Sequence, residues 1–195
     1  MKDKKMLADD YVGCLTLLGV SLVIGILLIA WVITEPPRLP EVITVKHDEF
    51  NFVLDHPSKY VSTLYDESGY HGNHDIRLIL SKIFYLAGQP ETFVIRVESR
   101  TINNPSLQDV VKWSDEGLEN LSSNFGFEDI SLEETELNGQ PIMRRLYSTQ
   151  TVKYEEVLIP RSKDMFIITL IISKEYFNEY HADFNRIVES FRPLE

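Results

Sequence analysis

The chain contains 195 residues, one cysteine and 30 acidic against 19 basic side chains, for a net charge of −11. So acidic a composition argues against a nucleic-acid-binding protein, which needs a basic face, and against a domain that lies flat on anionic lipid. A single cysteine has no partner for an internal disulfide bond.

The first element of the chain is an apolar segment that begins next to the cysteine, in "YVGCLTLLGV". Residues 12–34 carry no charge, and about 20 apolar residues are enough to cross the roughly 30 Å hydrocarbon layer of a bilayer. We therefore predict a transmembrane signal anchor over residues 12–34, in contact with lipid. Cys14 is not a lipobox cysteine, because the apolar segment follows it; it is a membrane-embedded thiol or, as the alternative, an acylation site. Ser21 and Gly25 have the small-x-x-x-small spacing that allows close association of membrane helices.

The flanks of this segment predict its orientation. Lys2, Lys4 and Lys5 precede it, whereas Arg38 is the nearest basic residue after it, and such residues are enriched on the cytoplasmic side. We expect residues 1–11 to be a cytoplasmic tail, residues 35–42 a proline-rich stem and residues 43–195 an extracytoplasmic domain. The protein is accordingly predicted to be a single-pass protein of the cell membrane.

The domain begins with alternating apolar and polar residues in "EFNFVLDHP", a pattern that predicts a half-buried strand, with His47-Asp48-Glu49 as its polar lead-in. "YVSTLY", "IRLILSKIFYL" and "TFVIRVESR" predict further strands. Two more strands, around Ile130–Leu137 and Gln140–Tyr147, flank Asn138-Gly139, a pair typical of a type I′ hairpin turn. "VKYEEVLIP" and "MFIITLIIS" follow, and the second is apolar on both faces, which predicts a central place in the sheet.

Two helices are predicted in the domain. The first follows "NNPSLQD", where Asn104 or Ser106 is the expected N-cap and Pro105 suits the first turn, and Gly126 marks its end. The second covers about residues 174–191, where aromatic and aliphatic residues recur at helical spacing. This order of elements predicts an α+β fold in which helices flank an antiparallel sheet, preceded by one transmembrane helix.

Four segments of the domain resemble those of the PsbP-like fold and occur in the same order. They are "FNFVLDHPSKY", "SLQDVVKWSDEGLENL", the run from "LNGQPIMRRLY" to "MFIITL", and "FNRIVESFRPL", which together cover roughly residues 48–194. That group includes the extrinsic lumenal subunit of photosystem II and bacterial lipoproteins of the DcrB type. The resemblance implies α/β/α layers and a non-catalytic role in binding and stabilising larger assemblies, often at a membrane surface. It assigns no functional residue in this chain.

The polar segment "HGNHD" contains the candidate metal ligands, His71, His74 and Asp75, because imidazole and carboxylate groups suit zinc and similar ions. A solvated loop is the plainer interpretation of the same residues. The pairs Glu133-Glu134 and Glu155-Glu156 are interpreted as solvated strand edges. Neighbours on a strand point to opposite faces, so neither pair is expected to act on one substrate.

The sequence contains no GxSxG, phosphate-loop, dinucleotide or HExxH motif, so we expect neither catalysis nor a cofactor. We predict a membrane-anchored accessory or assembly protein whose domain docks onto a membrane protein complex or another exported protein. The alternative is a small-ligand or metal-binding module. Solubility or a basic partner explains the acidic charge. A contiguous apolar or strongly charged patch would favour docking, and a deep cavity would favour a ligand.

Overall fold

A computed structural model describes residues 41–66, 68–70, 75–86 and 89–194, which belong to one compact unit that begins at residue 40. The described residues form two antiparallel sheets and two α-helices. The strands are β1 (Val42–His47), β2 (Phe52–Pro57), β3 (Val61–Leu64), β4 (Ile76–Leu86), β5 (Gln89–Thr101), β6 (Glu128–Leu137), β7 (Gln140–Ser148), β8 (Val152–Pro160), β9 (Asp164–Ser173) and β10 (Arg192–Pro193).

The larger sheet has seven strands in the order β3-β4-β5-β9-β8-β7-β6, and each adjacent pair is antiparallel. β9 is the fourth strand and is buried on both faces, so the central place predicted for "MFIITLIIS" is confirmed. The smaller sheet has the order β1-β2-β10. An antiparallel sheet with two helices confirms the predicted α+β class.

The helices are α1 (Leu107–Phe125) and α2 (Phe177–Ser190), the second preceded by a 3₁₀ turn at Lys174–Tyr176. Ser106 is the N-cap of α1 and forms a reciprocal capping box with Asp109. Pro105 precedes this cap, so its predicted place in the first helical turn is wrong. Gly126 ends the helix with φ of 63°, a left-handed conformation that glycine adopts without strain.

The helices lie on opposite faces of the larger sheet. Alternate residues of a strand point to opposite faces, and β9 supplies Phe166 and Ile168 to one core but Met165 and Ile167 to another. The larger core also contains the apolar side of α2 and residues of β1 and β2, so this side consists of a helix and a small sheet. The smaller core lies under α1 and contains Val110, Trp113, Leu158, Met165 and Ile167.

The smaller sheet was not predicted. The predicted first strand is β2, but β1 precedes it and pairs with it along its whole length. His47 ends β1, is buried and donates a hydrogen bond from Nε2 to the carbonyl of Tyr65 at 2.7 Å, so its interpretation as part of a polar lead-in is wrong. The β-branched residues of "VITV" are a signal for β1, whereas β10 has only two residues and no sequence signature.

The membrane anchor predicted over residues 12–34, including Ser21 and Gly25, lies outside the described residues, as does the tail of residues 1–11. Within the part of the chain that the structure describes, no helix is long and apolar enough to span a bilayer. Val42, assigned to the stem, is the first residue of β1.

The predicted hairpin turn generates a stability test. Asn138 and Gly139 have φ of 53° and 80°, which confirms the type I′ turn. A Cβ atom at residue 139 would meet nothing within 4 Å, so only the backbone conformation opposes a side chain there. We expect Gly139→Val to lower the free energy of unfolding by about 1–2 kcal/mol in urea denaturation of the full chain in mild detergent.

Gly117→Ala is the matched control, because its added Cβ also meets nothing within 4 Å but lies in helix α1. We expect this substitution to stabilise the protein by up to about 1 kcal/mol. Equal effects of the two substitutions would contradict the backbone explanation.

Candidate interaction surface

A row of polar residues crosses the larger sheet on the side of α1. Arg96 of β5 lies opposite Thr169 of β9, which lies opposite Glu156 of β8, which in turn lies opposite Arg145 of β7. Directly opposed residues of antiparallel strands share one face of the sheet. Thr169 is fully buried, and its hydroxyl has no hydrogen-bond partner among the described residues. The side of the larger sheet that α1 covers therefore contains polar as well as apolar residues.

Glu156 is the buried anion of this row. It is only 5% exposed and accepts hydrogen bonds from the hydroxyls of Ser114 on α1, at 2.5 Å, and Tyr147 on β7, at 2.9 Å. Burial raises the pKa of Glu156, although these two hydrogen bonds and the nearby Arg96 and Arg145 oppose the shift. Burial likewise raises the pKa of Glu98, against the attraction of Arg96.

The interpretation of Glu155-Glu156 as a solvated strand edge is wrong. β8 lies inside the sheet, and the two carboxylates are 6% and 5% exposed. They do point to opposite faces, as expected for neighbours on a strand. Glu155 lies on the α2 side, 2.8 Å from Arg144 and 2.8 Å from His181 Nε2. These partners come from β7 and α2, so the burial of the carboxylates depends on residues that are remote in the sequence.

Arg145 joins α1 to strands β6 and β7. Its Nη1 donates to Asp115 at 2.5 Å and to Ser114 at 3.2 Å on α1, and its Nη2 donates to Asp129 on β6 at 2.8 Å. Arg145 itself is buried, whereas the two carboxylates are about half exposed. Burial alone would lower the pKa of Arg145, but the hydrogen bonds to Asp129 and Asp115 raise it above the usual value for arginine. The guanidinium thus fixes the outer side of α1 beside the edge strand.

The outer side of α1 and both faces of the edge strand β6 form what we call the acidic surface. Residues 107–137 contain nine carboxylates and one basic residue, Lys112, so they carry a net −8 of the chain's −11. β6 is the last strand of the sheet, and both Glu133 and Glu134 are exposed on it, as predicted. All nine carboxylates are exposed: Asp109, Asp115, Glu116, Glu119, Glu128, Asp129, Glu133, Glu134 and Glu136.

The opposite edge of the sheet has a different character. β3 contains no charged residue, and its Val61 and Leu64 are exposed. α1 packs on β7, β8 and β9, which leaves the neighbouring residues of β4 and β5, such as Ile79 and Val94, only partly buried on this face. This second exposed region is apolar and is the natural comparison for the acidic surface.

A cleft of about 650 Å³ lies between β2 and α2 and is lined in part by His56, Lys59, Asp183 and Arg186. His56 is buried, and its Nδ1 donates to the carbonyl of Pro57 at 2.9 Å. The remaining ring nitrogen, Nε2, is buried and has no partner among the described residues. Asp183 is occupied by Lys59, at 2.5 Å, and by the hydroxyl of Tyr60. The size of this cleft is compatible with a small ligand.

Of the predicted metal ligands, His71 and His74 lie outside the described residues. The carboxylate of Asp75 pairs with Arg100 at 2.8 Å, and Arg100 also pairs with Glu116 of α1. Among the residues whose positions are described, no three His, Cys, Asp or Glu side chains are placed to hold a metal ion together.

Comparison with known proteins identifies the fold. No protein-family model and no curated protein sequence matches the chain. The solution structure of cyanobacterial PsbP (CyanoP) from Synechocystis sp. PCC 6803 is similar, with a TM-score of 0.59 at 10% identity, covering 80% of this chain and 95% of that one. The domain has a PsbP-like fold.

A second similar structure is LpqN of Mycobacterium tuberculosis, a protein involved in cell envelope biogenesis. Its TM-score is 0.52 at 13% identity, and the match covers 79% of this chain and 91% of LpqN. At these identities the similarity shows the fold alone.

The buried carboxylates predict an unusual dependence of stability on pH. A carboxyl whose pKa is raised on folding binds its proton more tightly in the folded state. Its contribution to stability is therefore complete when the pH is below 4.5, the ordinary pKa of glutamate, and is lost as the pH rises through the raised pKa. We expect the thermal midpoint to rise when the pH is lowered from about 7.5 to about 5. Below that range Asp183 opposes the trend, because its pKa is lowered and it loses its contribution on protonation.

Glu156→Gln should make this rise smaller, whereas Glu133→Gln, a change of an exposed carboxyl, should leave it unchanged. If the thermal midpoint of the unmodified protein falls steadily from pH 7.5 to pH 5, the buried carboxyls do not govern its stability in this pH range.

The position of Arg145 predicts its contribution to stability. Arg145→Leu leaves Asp115 and Asp129 without their shared cation and removes one of the two cations near Glu156. Removal of one partner from a buried ion pair costs about 3–5 kcal/mol. We expect a loss near the lower end of that range, because Asp115 and Asp129 reach solvent. Arg145→Lys keeps the positive charge but not the planar guanidinium that bonds to several partners at once, so its loss of stability should be smaller than that of Arg145→Leu.

Lys46→Leu is the control, since it breaks an exposed ion pair with Asp48 and should change the free energy of unfolding by less than about 1 kcal/mol. Urea denaturation of the three variants measures the differences. An Arg145→Leu variant as stable as Lys46→Leu would show that this guanidinium does not hold α1.

Proposed function

We propose that this protein is a non-catalytic, membrane-anchored accessory or assembly protein whose domain docks onto another membrane-associated protein complex. The observation that carries the proposal is the acidic surface, where −8 of the net charge of −11 lies on one helix and one edge strand. A charge needed only for solubility has no reason to be concentrated in this way. An exposed field of one sign attracts and orients a partner of the opposite sign.

The similar structures support the same kind of role. CyanoP is a cyanobacterial PsbP, and LpqN is involved in the biogenesis of a cell envelope. An accessory role at an envelope membrane is compatible with both, and with the assembly role that the resemblance to the PsbP-like fold implies. We assign no functional residue in this chain from either protein.

Tethering supplies part of the proposed mechanism. Residues 12–34 would anchor the chain with its N-terminus in the cytoplasm, and the short proline-rich stem would hold the domain close to the extracytoplasmic side of the bilayer. Confinement on a short linker raises the effective concentration of a module near its neighbours to the order of millimolar. A weak electrostatic interface is then sufficient for docking.

A ligand-binding module is the second candidate, and the cleft beside His56 favours it. A pocket of about 650 Å³ is within the usual size range for small-molecule sites. In a neutral imidazole the unpaired Nε2 of His56 is an acceptor, because Nδ1 donates to Pro57. The acidic surface is the stronger candidate, because Lys59 and Asp183 in the cleft already pair with each other and are less available to a ligand.

The test is purification of the full-length protein from its native membranes in mild detergent, with identification of the proteins that accompany it. We expect a partner complex with the unmodified protein, and a loss of roughly tenfold in bound partner when Glu134 and Glu136 are both replaced by lysine. Glu175→Lys with Glu179→Lys is the matched control, because it reverses two exposed charges beside and within α2, on the other side of the sheet.

Two further outcomes would redirect the proposal. Loss of the partner on Val61→Ser, with no loss on reversal of Glu134 and Glu136, would assign docking to the apolar β3 edge. A protein that purifies alone but retains a stoichiometric small molecule in native mass spectrometry would favour the ligand-binding alternative.

A further inference from the structure

β6 is an exposed edge strand whose hydrogen-bonding pattern follows from the adjacent turn. In a hairpin with a two-residue turn, the residues that flank the turn are hydrogen-bonded to each other, and bonded and non-bonded pairs then alternate along the ladder. Leu137 and Gln140 flank the turn, so Thr135 and Glu133 also bond to β7. Glu136 lies opposite Pro141, and the lack of an N–H group on proline is compatible with a non-bonded pair.

The alternate residues, Leu132, Glu134 and Glu136, therefore direct their backbone N–H and C=O groups away from the sheet. No described strand lies beyond β6 in the strand order. The regular part of β6 begins at Ser131, after the irregularity near Asp129, and extends to Leu137. At about 3.4 Å per residue, this length is enough for an added strand of ordinary size.

The side chains of β6 determine what can pair with it. Five of its ten residues are acidic and none is basic, so a second copy of β6 would place like charges across from one another. Glu128, Glu134 and Glu136 make no ion pair with any described residue. Ile130 and Leu132, 47% and 41% exposed, interrupt the carboxylates with apolar side chains. The chemistry fits a basic extended segment that also carries apolar residues.

We propose that β6 is the docking edge for a basic extended segment of a partner protein, which adds as a further strand of the larger sheet. The partner's backbone bonds to the outward groups of Leu132, Glu134 and Glu136, and its lysine or arginine side chains lie beside the carboxylates. Arg145 supports this edge, because it holds Asp129 of β6 against α1. This inference rests on the proposed docking function and names the chemistry of the partner.

Amide hydrogen exchange of the full chain in a neutral detergent tests the pairing. The probe is an end-capped peptide of alternating lysine and valine, about as long as β6. Exchange at the amides of Leu132, Glu134 and Glu136 should slow by roughly tenfold or more with the peptide, because these N–H groups become bonded. The amides of Glu133 and Thr135 serve as the internal control, since they bond to β7 in both states.

The same peptide with every backbone amide N-methylated, so that it keeps its charge but can pair along neither edge, should give no such protection. If both peptides shift the β6 resonances without slowing exchange, docking is electrostatic only and strand addition is wrong, while the proposed docking function stands. If neither peptide binds at millimolar concentration, strand addition is also wrong. The proposed function is then judged separately, by whether reversal of Glu134 and Glu136 releases the co-purified partner.

Discussion

The guanidinium of Arg145 is the contact on which the α1 side of this domain depends. Among the side chains that the structure describes, the apolar core between α1 and the sheet has five buried residues, whereas the core on the α2 side extends over both sheets. Polar contacts add to this packing. Arg145 provides them by bonding to Ser114 and Asp115 on the helix while it also bonds to Asp129 on β6.

This arrangement links the buried interior to the exposed charge. Glu156 under α1 shares Ser114 with Arg145, so the buried carboxylate and the exterior carboxylates belong to one network. The network has a cost, because Glu156 is removed from water and its pKa rises. In return, α1 and β6 are fixed side by side. The carboxylates of α1 and those of β6 that point to the same side of the sheet, Asp129, Glu134 and Glu136, are thereby presented as one surface.

The sequence predicts those parts of the fold that have local causes. Asn138-Gly139 requires positive φ, the run "MFIITLIIS" requires burial on both faces, and Ser106 with Asp109 forms a cap within one turn. Each of these signals involves neighbouring residues, so pattern and propensity are enough. The acidity of β6 is equally visible in "EDISLEETEL", and its place at an edge follows from the hairpin once the strand order is known.

The parts that could not be predicted depend on contacts between distant segments. Glu155-Glu156 looks like a solvated pair in the local sequence, because Arg96, Arg144 and Arg145 come near these carboxylates only in the folded structure. The salt bridge between Arg145 and Asp115 spans 30 residues. Likewise β10 exists only because the C-terminus returns to β2. Whether a charged residue is buried depends on tertiary contacts, so it cannot be predicted from the pattern of apolar and polar residues in the sequence.

Site-specific photocrosslinking in native membranes tests the central claim, that the acidic surface is where the protein meets its partner, most directly. The full-length chain would carry p-benzoylphenylalanine in place of Leu132, on the α1 side of β6, and in separate samples in place of Glu175, on the other side of the sheet. The account predicts crosslinks from position 132 to a lysine- or arginine-rich segment of one membrane-associated protein, and few from position 175. Crosslinks from position 175 alone, or to the same proteins from both positions, would contradict it.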